Sequence, residues 1–494
     1  MDNRDTVDLR RIAREVMLEK DFRVDFPPEV IQEAENAREP DFAALPIRDM
    51  SGMLWSSIDN DDSKDLDQAE TIEEIGDGAH RVYVAVANVD HFVPDGSATD
   101  ESALQNTTSI YTGVETFPML PERFSTDLSS LNEGEKRLAM VTQLDIEGGE
   151  VAAADVYLAA IENKAQLTYD GVAAFLEQRA GPHSDITRSV LGKIARIPGL
   201  ARQLQAQDAV AQALRARRFD SGALDFDTPE LRPVLNADGT IDLDRWVSNR
   251  ATQLIEEFMI AANRSVAAFL EKHGLPCIQR VVETPKHWPE IVALAADHGG
   301  HLPKRPDGQA LEAFLAAQRS KDPERFPDLS LAVIKLLGRG EYVVKGPGQA
   351  GVGHFGLAAR NYLHGSAPNR RYPDLIDQRM LIALFRNDKP AYSPRALAKL
   401  ADWCTRREQD AKKVERHVHK SIAAVALRPR IGETFEGFVT GASEKGVFVR
   451  VANPPVEGKA VSHPRGMRVG DRVQVRLLRT DARKGFIDFE VEGR

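Results

Sequence analysis

The sequence predicts an α+β fold in which a large domain follows a short helical segment and precedes a small β-barrel. Its 494 residues are enough for about two to four domains. Residues 46–425 mix helix and strand patterns without a clear boundary, which favours one large domain. Residues 428–494 contain short β runs separated by glycines, the pattern of a small barrel.

The composition is that of a globular protein, with 42% hydrophobic and 28% charged residues. No apolar stretch approaches the roughly 18 residues of a membrane span, and residues 1–25 lack the apolar core of a signal peptide. Cys277 and Cys404 lie far apart and form no CxxC pair, so we expect reduced structural thiols. These features predict a cytoplasmic protein with no membrane partner.

Residues 1–45 contain two helical patterns, at 9–20 and 28–38, and the second begins at a pair of prolines suited to a helix start. This segment is also the most basic part of the N-terminal region. Its basic residues are Arg10, Arg11, Arg14, Lys20 and Arg23. We expect a helical brace packed on the large domain. The alternative is a helix-turn-helix-like contact with nucleic acid.

Residues 59–70 concentrate negative charge in one loop. The acidic residues are Asp59, Asp61, Asp62, Asp65, Asp67 and Glu70. Crowding like charges is unfavourable without a cation, and hard oxygen ligands at this density suit Mg²⁺, Mn²⁺ or Ca²⁺. The loop therefore predicts a divalent metal site.

The acidic loop has two other interpretations. An EF-hand calcium loop has the same acidic spacing, but Lys64 stands at its sixth position, where the turn needs glycine. Residues 53–58 also have the pattern of a strand and not of an entering helix. The remaining alternative is an acidic loop that is simply hydrated.

The loop resembles the signature of the ribonuclease II (RNB) family, which places aspartates at one position and six, eight and nine residues later. In IDNDDSKDLDQA these positions are Asp59, Asp65, Asp67 and Gln68. Further segments resemble the family in its own order, and they lie at residues 109–140, 221–230, 254–263 and 354–379. Several segments in order are a specific signal, whereas a lone DxD would be weak. Residues 428–494 resemble the family's C-terminal OB-fold RNA-binding repeat.

The resemblance implies a set of catalytic and metal-binding residues. The catalytic residues would be Asp59, Asp65, Asp67 and Arg370, and the metal ligands Asp59, Asp65, Asp67 and Gln68. Arg370 would steady the scissile phosphate, with Arg371 as the neighbour most easily confused with it. Gln68 departs from the family's usual aspartate, because its carbonyl oxygen brings no charge. Asp61 or Asp62 could compensate. The expected cofactor is Mg²⁺, with Mn²⁺ as a substitute.

The resemblance also implies contacts with RNA. Tyr111 and Phe226 match aromatic residues that stack on bases near the 3′ end, although either could be an ordinary core residue. Glu415 matches a glutamate that accepts a hydrogen bond from a ribose 2′-hydroxyl. In the barrel, strand alternation turns Val447, Val449 and Val451 inward. The same alternation turns RNA-binding candidates outward, namely Phe448, Arg450 and Arg476.

These expectations describe a monomeric, Mg²⁺-dependent exoribonuclease of RNA decay and processing. By the resemblance it degrades single-stranded RNA processively from the 3′ end to 5′-nucleoside monophosphates. One rival is an RNA-binding protein that keeps the channel but has lost turnover through Gln68. Another is a metal-dependent phosphodiesterase acting on DNA or a small molecule. The net charge of −11 means that any positive RNA-binding surface must be local.

Overall fold

The computed structural model describes residues 7–226, 230–235, 241–246, 248–323, 325–349, 351, 353–443, 446–451, 453–468 and 470–493. The helices are α1 (Leu9–Glu19), α2 (Pro28–Asn36), α3 (Ala98–Asn106), α4 (Tyr169–Leu176), α5 (Asp185–Arg196), α6 (Leu200–Asp220), α7 (Arg250–Lys272), α8 (Trp288–Asp297), α9 (Gly308–Lys321), α10 (Phe326–Leu337), α11 (Tyr372–Phe385) and α12 (Pro394–Leu427). Short helical turns lie at Arg123–Leu128, Phe355–Leu357 and Arg428–Arg430.

The strands before α12 are β1 (Arg48–Asp49), β2 (Trp55–Asp59), β3 (Gln68–Gly76), β4 (Ala79–Ala87), β5 (Ile110–Tyr111), β6 (Thr116–Phe117), β7 (Lys136–Glu147), β8 (Glu150–Thr168), β9 (Glu230–Leu235), β10 (Ile241–Trp246), β11 (Cys277–Val281) and β12 (Glu341–Lys345). The strands after α12 are β13 (Thr434–Ser443), β14 (Gly446–Val451), β15 (Glu457–Ser462), β16 (Arg472–Asp481) and β17 (Phe486–Gly493). Helices and strands thus mix before residue 427, and the described residues after 430 form only strands and irregular segments, which confirms the predicted α+β class.

The centre of the large domain is a six-stranded sheet with strand order β1-β8-β2-β3-β4-β7. Strand β8 also pairs with β7, so the sheet curls back on itself. One of its faces carries small side chains from consecutive strands, among them Ala69, Ala85, Ala139 and Ala159. Helices α4 to α7 pack on the other face, against residues such as Val84 and Leu167.

The two predicted N-terminal helices are confirmed as α1 and α2. Asp8 caps α1 by accepting a hydrogen bond from the Arg11 N–H, and α2 begins at Pro28. Helix α1 buries its apolar side against α12 and the β5–β6 hairpin, whereas α2 packs on α3 and Arg123–Leu128. Because the helices rest mainly on different elements, this segment is a brace and not a helix-turn-helix pair.

Helix α12 begins at the N-cap Ser393 and extends over 34 residues. Its first part contributes Leu397, Ala401 and Cys404 to the main core of the large domain. Its middle part packs against α1, and its last turns enter the core of the C-terminal barrel. One helix therefore connects three hydrophobic cores.

The C-terminal strands form a closed barrel in the order β13-β14-β15-β17-β16. Val447, Val449 and Val451 are buried in its core, as strand alternation predicts. The barrel also touches the large domain beyond α12, since Arg450 pairs with Asp328 of α10 at 2.8 Å. The predicted OB-type barrel is therefore confirmed, and it is docked on two helices.

Cys277 and Cys404 are buried and free, which confirms the expectation of structural thiols. Among the described residues, no helix is both long enough and apolar enough to cross a membrane.

Candidate active site

The acidic loop joins β2 to β3, two antiparallel neighbours in the central sheet. A strand therefore leads into the loop, which contradicts the EF-hand interpretation. The buried Leu66 anchors the loop, because its N–H donates to Ser130 Oγ at 2.9 Å and its carbonyl accepts from Leu131 N at 3.0 Å. The backbone carbonyl of Asp67 accepts from Ala87 N at 2.9 Å. These bonds fix the last third of the loop.

Arg370 reaches the acidic loop, and Arg371 does not. The Arg370 Nε donates to Asp67 Oδ2 at 2.8 Å, while Arg371 Nη2 donates to Asp374 Oδ1 at 2.8 Å. The Arg370 backbone is held by Ser109, whose N–H donates to the Arg370 carbonyl at 3.0 Å. The side chain of Arg370 is 41% exposed, so part of its guanidinium remains accessible.

Asp59 and Asp67 of the loop are held in environments that disfavour their charge. Burial raises the pKa of Asp67 to about 7, with Asp65 adding to the rise and Arg370 opposing it. Burial also raises the pKa of Asp59, although Ser63 Oγ donates to Asp59 Oδ1 at 2.8 Å and the Asn60 N–H donates to the same oxygen. A nearby cation would favour the ionised form of both carboxylates.

Tyr111 connects the acidic loop to Glu415. Its hydroxyl lies 3.4 Å from Asp65 Oδ2, and its N–H donates to Glu415 Oε1 at 3.2 Å. Tyr111 is 41% exposed, so part of its ring surface is accessible. Burial raises the pKa of Glu415. The fold therefore brings together Asp65, Asp67, Tyr111, Arg370 and Glu415 from four separate parts of the chain.

The remaining predicted RNA contacts lie elsewhere or are already paired. Phe226 is partly buried against the hydrophobic cluster of α8, α9 and α10, and the contacts just described do not include it. Arg476 pairs with Glu490 and with Glu492, the latter at 2.9 Å. Phe448 is half-buried on the outer side of the barrel. Their roles in RNA binding remain predictions.

Arg450 lies outside the barrel core, as strand alternation predicts, but α10 covers it. Its side chain is only 15% exposed because it pairs with Asp328 of α10. Alternation along β14 correctly turns Arg450 out of the barrel core, but alternation does not say what packs against the outside of the barrel.

The donor atoms of the loop fit a hard divalent cation. All are oxygens, and the buried Asp67 Oδ1 has no hydrogen-bond partner. Within the described residues, however, no three histidine, cysteine, aspartate or glutamate side chains are close enough together to hold one metal ion. Arg370 donates a hydrogen bond to the other carboxylate oxygen of Asp67, Oδ2. The oxygen donors are therefore of the type that a divalent cation prefers. The carboxylates would have to move closer together to bind one ion.

The burial of three acidic residues in the loop region could not be predicted from the spacing of charges in the sequence. Asp61 and Asp62, the suggested replacements for a fourth ligand, are exposed. Glu70, to which no role was assigned, is only 1% exposed and both its carboxylate oxygens lack hydrogen-bond partners. The signal that could have found it is its strand position, two residues after Gln68 on the same face.

Comparison with family models identifies two matches. Residues 47–387 match the RNB domain, and residues 433–492 match the RNase II-type exonuclease C-terminal S1 domain. The chain is 30% identical to ribonuclease R of Aquifex aeolicus over 515 residues, which cover 97% of the chain and 70% of that protein. It is 29% identical to ribonuclease R 1 of Lactococcus lactis, covering 96% of the chain and 60% of that protein.

Similar folds occur among solved structures. RNase R of Mycoplasma genitalium in complex with ribose-methylated single-stranded RNA matches with a TM-score of 0.85 and 23% identity, covering 98% of this chain and 78% of that one. Yeast Ssd1, described as a pseudonuclease, matches with a TM-score of 0.72 and 16% identity, covering 95% of this chain and 57% of Ssd1. The fold is thus shared with a nuclease and with a pseudonuclease, so activity has to be argued from the site.

Proposed function

We propose that this chain, which belongs to the RNB family, is a 3′-to-5′ exoribonuclease that shortens single-stranded RNA by hydrolysis and releases 5′-nucleoside monophosphates. The observation that carries this proposal is the contact between Arg370 and Asp67. It places a phosphate-binding guanidinium beside the carboxylates that fit a metal. A pure RNA-binding surface would have no need for this combination.

Mg²⁺ is the proposed metal, with Mn²⁺ as a substitute. Asp59, Asp65 and Asp67 would hold it, and Gln68 would offer a neutral oxygen. A bound divalent cation supplies charge neutralisation at the phosphoryl oxygens and lowers the pKa of a water molecule. The unpartnered oxygen of Asp67 supports this assignment.

Arg370 is proposed to bind the phosphoryl oxygens at the scissile bond. Its Nε is oriented by Asp67, and the exposed remainder of its planar guanidinium carries further N–H donors. Such a group can form two parallel hydrogen bonds to one phosphate, which a lysine cannot do. Charge that develops on those oxygens in the transition state would be stabilised by the same donors.

Tyr111 and Glu415 are proposed to hold the 3′-terminal nucleotide. The accessible ring of Tyr111 suits base stacking, which is tolerant of sequence because every base has a flat face. Glu415, oriented by the N–H of Tyr111, suits acceptance from a ribose 2′-hydroxyl, a group that DNA lacks. The hydroxyl contact between Tyr111 and Asp65 would set the terminal nucleotide next to the acidic loop.

The test uses a 5′-labelled single-stranded RNA, Mg²⁺ and three chains: the native protein, Asp67→Asn and Asp61→Asn. We expect the native protein and Asp61→Asn, which changes an exposed carboxylate of the same loop, to produce a shrinking ladder with mononucleotide release. Asp67→Asn should slow shortening by about 10²-fold or more, since a buried carboxylate of the metal site is lost. Tight RNA binding by all three chains without any shortening would overturn the proposal in favour of a binding protein. Equal shortening of DNA would point to a broader phosphodiesterase.

A further inference from the structure

We infer that residues 129–131, called the support segment below, set the position of Arg370 relative to the acidic loop, and that Ser129 and Asn369 are positioning residues for the proposed reaction. The inference rests on the role of Arg370 in the proposed function. Ser129 and Asn369 are each 1% exposed, so neither side chain can touch RNA. Both would act through the groups that they hold in place.

The support segment holds the acidic loop by its backbone. Ser130 Oγ accepts a hydrogen bond from the Leu66 N–H at 2.9 Å, and the Leu131 N–H donates to the Leu66 carbonyl at 3.0 Å. Leu66 lies between Asp65 and Asp67 in the sequence. These two bonds therefore fix the stretch of backbone that carries two of the proposed metal ligands.

The same segment holds the turn that carries Arg370. Ser129 Oγ donates to Asn369 Oδ1 at 2.5 Å, and Asn369 directly precedes Arg370 in the sequence. Because both side chains are buried, water cannot replace either partner, and losing one leaves the other unsatisfied. One short segment thus binds the acidic loop on one side and the Arg370 turn on the other.

The support segment is itself fixed to the central sheet. Arg137 Nε of β7 donates to the Ser130 carbonyl at 3.1 Å, and Asn163 Nδ2 of β8 donates to the Leu131 carbonyl at 2.9 Å. Arg137 is 3% exposed and Asn163 is 1% exposed. The segment can therefore act as a fixed reference for the two parts that it joins.

The Arg370 turn has a second support, which has a different consequence. The Ser109 N–H donates to the Arg370 carbonyl at 3.0 Å, and Thr108 Oγ1 donates to the same oxygen at 3.1 Å. These bonds attach the turn to the residues before β5, whereas Ser129 attaches it to the segment that holds the acidic loop. Loss of the Ser129 bond should therefore leave the turn folded but allow Arg370 to shift relative to the loop.

The first measurement is the single-turnover rate of shortening of a single-stranded RNA with Mg²⁺, alongside RNA affinity in metal-free buffer. Ser129→Ala and Asn369→Ala should each lower the rate by about 10-fold or more, because small displacements of a phosphate-binding group are costly to the reaction. RNA affinity should change by less than about 2-fold, since other groups supply most of the binding. If Ser129→Ala does not fold, Asn369→Ala decides, because there Ser129 Oγ still contacts the Phe124 carbonyl at 2.8 Å.

Ser125→Ala is the matched control. Ser125 is also buried, at 5% exposed, and its Oγ lies 3.3 Å from the Pro121 carbonyl within its own helical turn. Its loss should lower the unfolding temperature as the loss of a buried hydroxyl does, and change the rate by less than about 2-fold. Equal rate losses in Ser125→Ala and Ser129→Ala would overturn the positioning role.

A double variant tests whether Ser129 acts through Arg370. In an Arg370→Lys background, Ser129→Ala should change the rate by less than about 2-fold, because residues that act through one group are not additive. A further loss of about 10-fold would mean that Ser129 acts by another route, and the inference would be wrong.

The second measurement uses no RNA. Nuclear magnetic resonance of a chain labelled with ¹⁵N-arginine reports the Nε–H proton of Arg370, which is identified by its loss in Arg370→Lys. The bond to Asp67 Oδ2 at 2.8 Å should slow exchange of this proton with solvent. We expect exchange to become faster in Ser129→Ala and Asn369→Ala, and to stay as in the native chain in Ser125→Ala.

The two measurements separate this inference from the proposed function. Faster exchange in Ser129→Ala, in a chain that never shortens RNA, would support the positioning role and remove the exoribonuclease. Unchanged exchange and an unchanged rate in Ser129→Ala and Asn369→Ala would overturn the positioning role in a chain that remains an exoribonuclease.

Discussion

The acidic loop and the Tyr111 pocket are built in different ways, although they meet at Asp65. The loop belongs to one hairpin of the central sheet, and its backbone is held by Ala87, Ser130 and Leu131 of neighbouring segments. The pocket, formed by Tyr111 and Glu415, depends on contacts between residues 304 positions apart. The proposed catalytic carboxylates are thus placed by one hairpin, whereas Arg370 and the proposed substrate contacts are placed by tertiary structure.

Helix α1 packs against both elements that form the pocket, the β5–β6 hairpin and α12. Its apolar residues pack on Ile110 and Phe117 of the hairpin that carries Tyr111, and on Val414 and Val418, which flank Glu415 on α12. Arg14 adds an ion pair with Glu115 in the same hairpin at 2.7 Å. The N-terminal brace therefore joins the two halves of the pocket, and it does not touch the acidic loop in any of these contacts.

The largest expected effect is on the rate of RNA turnover, and it concerns Arg370, which contacts the acidic loop. Arg370→Lys should lower the rate of a single RNA turnover by about 10²-fold to 10³-fold, because lysine cannot hold Asp67 and a phosphate with a planar group. Substrate affinity should change much less. The matched control is Arg371→Lys, which loses its contact with the buried Asp374 and should lower the thermal unfolding temperature while largely sparing the rate. Similar rate losses in both variants would mean that the assignment to Arg370 is wrong.

The second-largest expected effect is a pH dependence of the free energy of unfolding that arises from Asp67 in the acidic loop. The pKa of Asp67 in the folded chain is about 7, whereas an unfolded aspartate titrates near 3.9. Between these values the unfolded chain has released a proton that folded Asp67 retains, so stability falls as the pH rises through this window. In metal-free buffer, Asp67→Asn should therefore gain stability relative to the native chain from pH 5 to pH 8, by a few kcal/mol at most. A difference in unfolding temperature that stays constant with pH would contradict this prediction.

The smallest effect tests the support of the pocket by α1. Arg14→Ala should weaken binding of a single-stranded RNA in metal-free buffer by about 2-fold to 5-fold, since a partly exposed ion pair is lost. Tyr111→Ala should weaken it by about 10-fold to 100-fold through lost stacking. If Arg14 acts only through the hairpin, adding Arg14→Ala to Tyr111→Ala should have little further effect.

The control for Arg14 is Arg10→Ala, an exposed arginine on the same helix. We expect it to leave RNA affinity unchanged. An equal loss for Arg10→Ala and Arg14→Ala would indicate that α1 contacts RNA directly, and the nucleic-acid-binding interpretation of this segment would return.

The sequence was informative where a pattern is local. It predicted β2, both N-terminal helices and the inward valines of the barrel, because strand and helix periodicity follow from nearest neighbours. It assigned Arg370 and not Arg371 by resemblance alone, since both precede α11 and only tertiary packing decides which one faces the loop. It suggested Asp61 or Asp62 as a compensating ligand, although both are exposed, because burial cannot be read from charge spacing. It also could not foresee that α10 covers Arg450.

Helix α12 has a consequence for how the molecule unfolds. At 34 residues it is about 50 Å long, and it contributes to the core of the large domain, to the α1 brace and to the barrel in turn. Cores that share one continuous helix lose contacts together when that helix melts, so the barrel is not free to unfold as an independent unit. Heating should then produce a single cooperative transition, and the amide protons of α12 should be among the last to exchange with solvent.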